Sequence, residues 1–185
     1  MKPNKKIDKI ISDSEIEKKY QKLSDVEHVL MRPAMYIGGI DFIDTTDFVL
    51  DEDGSIKKHN FSYSPGLYKL FDEVLVNAYD QTIRDPELKT IKINIEPTRI
   101  IVFNDGTGID VKIHPKYKIY VPELIFSHLK TSTSFSTELP TGGIHGYGVK
   151  LTGIFSKKMT VEIGDSKNKK YFKQTYTKHL NVRTT

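Results

Sequence analysis

The sequence predicts an α+β fold, a two-layer sandwich in which a mixed, mostly antiparallel sheet is covered on one face by helices. Three observations carry this. After Pro65, the segment GLYKLFDEVLVNAYDQTIRD sets Leu67, Leu70, Phe71, Val74, Leu75 and Ala78 at three- and four-residue steps, the mark of one buried helical face. Then TIKINIE and RIIVFND alternate on either side of Pro97-Thr98, as an antiparallel strand pair does. KMTVEIG and KKYFKQTYT repeat that pattern across DSKNK. Helix, strand pair, helices and then strands is the order of an α+β sheet rather than of a doubly wound parallel one.

The elements follow in chain order. Residues 1–22 are rich in Lys, Asp and Glu and read as a flexible arm with at most a short helix. The domain proper spans 23–185. Ser24 caps a short helix and Glu27 completes an S-x-x-E box; Pro33 stops that helix and Gly38-Gly39 turn the chain. Residues 41–64 read as polar and irregular, with DEDGS at a hairpin tip. Burying the six apolar side chains of the main helix is worth on the order of 10 kcal/mol before entropy is subtracted, and Asp85-Pro86 ends it. Pro122 to His128 forms a short helix, and another runs from Tyr147 to Phe155.

Bulk properties bound the function. With 185 residues and 37% hydrophobic content, the chain supports one core. Lys+Arg exceeds Asp+Glu by 28 − 24 = +4, with lysines gathered before Leu23 and after Ser156. Two readings stand, solvated ends or a weak preference for nucleic acid, and charge alone decides neither. The absence of cysteine excludes disulfides and thiolate metal sites. No apolar run reaches membrane length and no signal-peptide pattern opens the chain, so a soluble intracellular protein is expected.

Three places carry residue types suited to chemistry. On the main helix, Glu73, Asn77 and Asp80 fall at i, i+4 and i+7, a second stripe roughly 120° round from the apolar one. A carboxylate and an amide one turn apart can hold a water and a Mg²⁺; they also make an ordinary polar face. NDGTGID follows a strand directly, where Asp105 can accept a hydrogen bond from an exocyclic amine or simply shape an Asn-Asp-Gly turn. In TGGIHGYGVKLTGIF, Gly146 and Gly148 precede an apolar helix. Their amides suit a phosphate at a helix N-terminus, or the glycines are a hinge. Val149 between Gly148 and Lys150 breaks the Walker A pattern.

Taken together and in this order, EHVLMRPAMYIGG, FDEVLVNAYD, NDGTGI, YVPELIFSHLKTS and TGGIHGYGVKLTGIFS resemble the ATPase region of type IIA DNA topoisomerases, from about Tyr20 to Tyr176. YVPELIF and GYGVKLT bring the chain nearer the eukaryotic and viral type than bacterial gyrase. The resemblance implies the Bergerat, or GHKL, ATPase fold, with ATP and Mg²⁺ as cofactors. It implies catalytic roles for Glu73, as the base that activates water, and for Lys150. Asn77 then holds Mg²⁺. Asp105 reads the adenine amino group, with Asn104 and Gly108 in the same turn. Ser132, Thr133 and Ser134 lie near the ribose and phosphates. Gly143, Ile144, His145, Gly146, Tyr147, Gly148, Val149 and Lys150 wrap the triphosphate, and Tyr20 reaches the partner's nucleotide.

Two departures qualify what is implied. Ile144-His145 stands where the eukaryotic type usually has Arg-Asn, and loss of one charge-assisted bond costs about 1.5–3 kcal/mol of nucleotide affinity if nothing replaces it. The family's transducer lysine and cleavage tyrosine have no counterpart before Thr185, so the ATP-binding domain reads as truncated, without its sheet's last strand. The function implied is that of an N-terminal gate: ATP binding closes a homodimer around DNA in the full enzyme, in a nucleus, or in a cytoplasm if viral or bacterial, and hydrolysis resets it. The isolated chain is then a weak ATPase. The alternative is a nucleotide-switch module with little hydrolysis of its own.

Overall fold

Helix α4 (Pro65–Arg84) organises the molecule, and the computed structural model, which describes residues 12–131 and 146–184, shows why it forms where it does. The Ser64 hydroxyl accepts the Leu67 amide, Pro65 supplies a preset φ in the first turn, and Asp85 ends the helix just before Pro86. Ahead of it run α1 (Asp13–Lys19), α2 (Asp25–Met31), α3 (Ala34–Ile37), β1 (Ile43–Leu50) and β2 (Ile56–Tyr63). After it come β3 (Ile91–Glu96), β4 (Arg99–Asn104), α5 (Val121–Ser127), α6 (Gly148–Phe155), β5 (Lys158–Asp165), β6 (Lys170–Thr177) and β7 (Val182–Thr184). The expected capping box at Ser24–Glu27 is present, and a second, not foreseen, forms at Ser12–Glu15.

The strands form three antiparallel ladders, β1–β2, β3–β4 and β5–β6–β7. Ile95 faces Ile100 across the Pro97-Thr98 turn, as the alternation predicts. β5 and β6 turn Val161, Ile163, Phe172 and Tyr176 inward, where they join Val29, Ile37, Val111, Leu151, Ile154 and Leu180 in one buried cluster. The core therefore sits between the inner face of β5–β6 and helices α2, α3 and α6. Helix α6 in turn is stitched to α4, since the Thr152 hydroxyl donates to the Leu70 carbonyl at 2.8 Å.

Three expectations need correction. Residues 41–64 are not irregular: they form an eight-residue hairpin on each side of DEDGS, in register from Ile43–Tyr63 to Leu50–Ile56. Almost every side chain in it faces water, so no period-two apolar pattern was selected. The stripe of α4 is only partly buried. Ala78 is enclosed, Leu70, Phe71, Val74 and Leu75 are half-buried, and Leu67 is 59% exposed, so six full burials overstate its contribution. The short β7, paired through Thr175–Thr184 to Thr177–Val182, carries no apolar alternation and was not foreseen.

Candidate functional site

The i, i+4 spacing on α4 puts Glu73 and Asn77 on one face, and the start of α6 lies against that face. A Cβ built on Gly148 would strike Glu73 Oε2 and come within 3.4 Å of Asn77 Nδ2. Glycine thus lets the head of α6 approach the Glu73 carboxylate, which a methyl group would push aside. The Asn77 amide nitrogen donates to the Glu73 backbone carbonyl, which leaves its Oδ1 as an acceptor for a ligand. Lys69 holds the other oxygen of Glu73, with Nζ 2.7 Å from Oε1. Asp80, next along the stripe, is buried.

Helix α6 opens on Tyr147 with no side-chain cap; the Lys150 amide donates to the Tyr147 carbonyl at 2.9 Å, which leaves the Gly148 and Val149 amides without acceptors within the helix. Gly146 has φ +69°, and a Cβ there would lie 2.8 and 2.9 Å from the Thr131 oxygen and nitrogen. The Lys130 amide also donates to the Gly146 carbonyl at 3.1 Å. Tyr147 packs its ring 6.1 Å from that of Tyr36, whose hydroxyl meets His28 Nδ1 at 2.7 Å. The RPAMYIGG segment thus packs on Tyr147, the residue that opens α6. Val149 is buried.

Lys150 is only 3% exposed, and its ammonium donates to the Thr131 carbonyl at 2.5 Å. Burial pulls its pKa down to about 8. In this arrangement Lys150 ties the head of α6 to Thr131. Ser132, Thr133, Ser134, Gly143, Ile144 and His145 lie outside the described residues. Tyr20 stands exposed just past α1, a helix without buried residues.

The turn after β4 is held by two carboxylates. Asp105 Oδ1 accepts the amides of Lys89 and Thr90 at 2.8 and 2.9 Å, and these bonds hold its carboxyl below the usual carboxylate range. Asp85 Oδ2 accepts the Thr107 amide at 2.6 Å and its hydroxyl at 2.8 Å, with the same effect on its own pKa. Further on, Asp165 Oδ2 accepts the Val111 amide at 2.7 Å. Gly108, at φ +83°, serves packing: a Cβ would collide with the Gly164 carbonyl. Asn104 is half-buried and pairs with Ile91 in the ladder. Sequence reasoning missed Asp85 and Thr131. Asp85-Pro86 reads as a helix stop, and only the close approach to Gly106 reveals what the carboxylate does. A Cβ on Gly106 would sit 2.7 Å from Asp85 Oδ2.

No family model matches the chain. DNA topoisomerase 2 of Candida glabrata is 46% identical over 170 residues, which is 89% of this chain and 12% of that protein. The ATPase region of Saccharomyces cerevisiae topoisomerase II superposes with a TM-score of 0.88 at 39% identity, over 92% of this chain and 46% of that one. The ATPase domain of Thermus thermophilus gyrase B shares the fold at a TM-score of 0.56 and 22% identity. The chain spans 12% of the length of the curated relative it matches, and along that span it belongs to the DNA topoisomerase II family, on the eukaryotic side of the divide from gyrase.

Proposed function

We propose that this chain binds ATP with Mg²⁺ and hydrolyses it, as the N-terminal gate region of a type II DNA topoisomerase. The observation that carries the reading is the approach of α6 to α4. Gly148 and the uncapped first turn of α6 sit against Glu73 and Asn77, residues remote in sequence. A phosphoryl group bound at the amides of this first turn has the Glu73 carboxylate and the Asn77 amide beside it. Phosphoryl transfer needs little more than such positioning and charge stabilisation.

In this reading Glu73 Oε2, the oxygen turned toward Gly148, orients and deprotonates the attacking water. Lys69 fixes the opposite oxygen and so the orientation of the carboxylate. Asn77 Oδ1 suits Mg²⁺, a hard cation that takes oxygen donors and usually keeps several waters beside one or two protein ligands and substrate phosphates. When bound, that ion neutralises charge on the phosphates. Asp105 spends one oxygen on backbone amides and offers the other to the adenine amino group. In the full-length enzyme, nucleotide binding would close a dimer around a DNA segment, a reading that membership of the family supports, with Tyr20 on the arm reaching across to the partner.

Glu73→Gln tests this. Nucleotide binding is expected to persist while phosphate release falls about 10²- to 10⁴-fold. Unchanged release in the variant removes Glu73 from its role. Nucleotide-dependent dimerisation of the wild type without phosphate release favours the switch-module reading.

A further inference from the structure

When the hydroxyl of a helical Ser or Thr bonds locally, it reaches back to a carbonyl three or four residues before it, in its own helix. Thr82, Ser127 and Ser156 do this, on the carbonyls of Tyr79, Glu123 and Thr152 at 2.7, 2.7 and 2.6 Å. Thr152 does not. Its hydroxyl leaves α6 and donates to the Leu70 carbonyl of α4 at 2.8 Å, 82 residues away in the chain. That carbonyl lies inside α4, where the amide four residues on already takes it as an acceptor. Its second lone pair receives the hydroxyl.

The bond stands one turn from the site on both helices. Gly148 and Thr152 are four apart on α6 and share a face, as Leu70 and Glu73 do at three apart on α4. The contact of Gly148 with Glu73 is therefore the next step along the same seam. Apolar packing tolerates small slips between helices, whereas a hydrogen bond to one carbonyl is directional. A slip of one residue, about 1.5 Å, takes the hydroxyl off Leu70.

We propose that Thr152 is a positioning residue for ATP hydrolysis: its hydroxyl on the Leu70 carbonyl fixes the register of α6 along α4, and with it the distance from phosphates held at the head of α6 to the Glu73 carboxylate. This rests on the role proposed for Glu73. The amides that hold phosphate travel with α6, and the base travels with α4. Lost register therefore lowers turnover more than nucleotide affinity.

The test uses the 185-residue chain. Thr152→Val removes the donor and leaves the Leu70 carbonyl its helical partner. Phosphate release is expected to fall about three- to tenfold, while the dissociation constant for a non-hydrolysable ATP analogue with Mg²⁺ changes less than about twofold. Thr152→Ser keeps the hydroxyl and restores release. Ser156→Ala, which loses a bond inside α6 alone, lowers the melting temperature and leaves release unchanged. In the nucleotide-free chain, a nuclear Overhauser contact between Gly148 Hα and the Glu73 side chain is expected in the wild type and in Thr152→Ser, and is lost in Thr152→Val.

A folded Thr152→Val chain with full release or with that contact intact overturns the assignment. So does an equal fall in release and affinity, an equal loss of release in Ser156→Ala, or a failure of Thr152→Ser to restore release. If Thr152→Val does not fold, Thr152→Ala decides by the same readings. A wild type that binds nucleotide and releases no phosphate, or a Glu73→Gln chain with unchanged release, overturns the role of Glu73 and this inference together. Release that Glu73→Gln abolishes and Thr152→Val spares overturns this inference alone.

Discussion

A Cβ placed on Gly148 meets Glu73 Oε2, the far end of a side chain with freedom to turn, whereas one on Gly146 meets the backbone of Thr131. The two substitutions should therefore separate chemistry from stability. Gly148→Ala turns the carboxylate away and lowers phosphate release at least about tenfold, with a stability change within about 1 kcal/mol. Gly146→Ala adds left-handed strain to a backbone clash and destabilises by about 1–3 kcal/mol. Denaturant unfolding beside a phosphate-release assay checks both.

Lys150 makes a pH prediction of its own. Burial lowers its pKa to about 8 from 10.5, so the folded state gives up the proton before the unfolded state does. Stability linked to this residue rises with pH between those values, by about 3 kcal/mol at most. Unfolding free energies of wild type and Lys150→Met, compared from pH 7 to 10.5, should show that rise in the wild type alone.

Among the elements, both α4 and the head of α6 line the site, but α6 is the more deeply packed. Ile154 on α6 is fully buried while Leu67 on α4 is 59% exposed. Ile154→Ala is expected to cost about 2–5 kcal/mol and Leu67→Ala within about 0.5 kcal/mol, read from denaturant midpoints. This contrast also marks how far sequence patterns reach. The period of α4 identified the helix, but it did not say how much of the stripe a neighbour covers. β5 and β6 were legible because one face is buried and alternation follows. The β1–β2 hairpin was not, because both its faces are wet and nothing selects apolar residues at every second position. Likewise, the spacing of Glu73 and Asn77 gave their common face directly. That Gly148 lies opposite them is a tertiary fact, and only the family motifs carried it. Asp85 escaped because a single Asp-Pro gives no hint of a partner at Thr107, beyond a strand pair.

For the molecule as a whole, the β3–β4 and β5–β6–β7 ladders, which do not pair with each other among the described residues, are drawn together by α4, α6 and the carboxylate-held turn after β4. Among the described residues, β4 pairs with β3 alone and β5 with β6 alone. The clasp around residues 105–111 is thus a direct link between the two sides: Thr107 accepts the Ser166 amide at 3.3 Å, and the Asp165 carboxylate holds Val111. No described helix is long and apolar enough to cross a membrane.

The central claim is that α4, the turn after β4 and the head of α6 face one purine triphosphate. Backbone amide chemical shifts, followed while a non-hydrolysable ATP analogue is titrated with Mg²⁺, test it most directly. The account predicts that signals of residues 73–77, 105–108 and 146–150 all move, with one common dissociation constant. Movement confined to one of the three groups, or a separate constant for each, contradicts it.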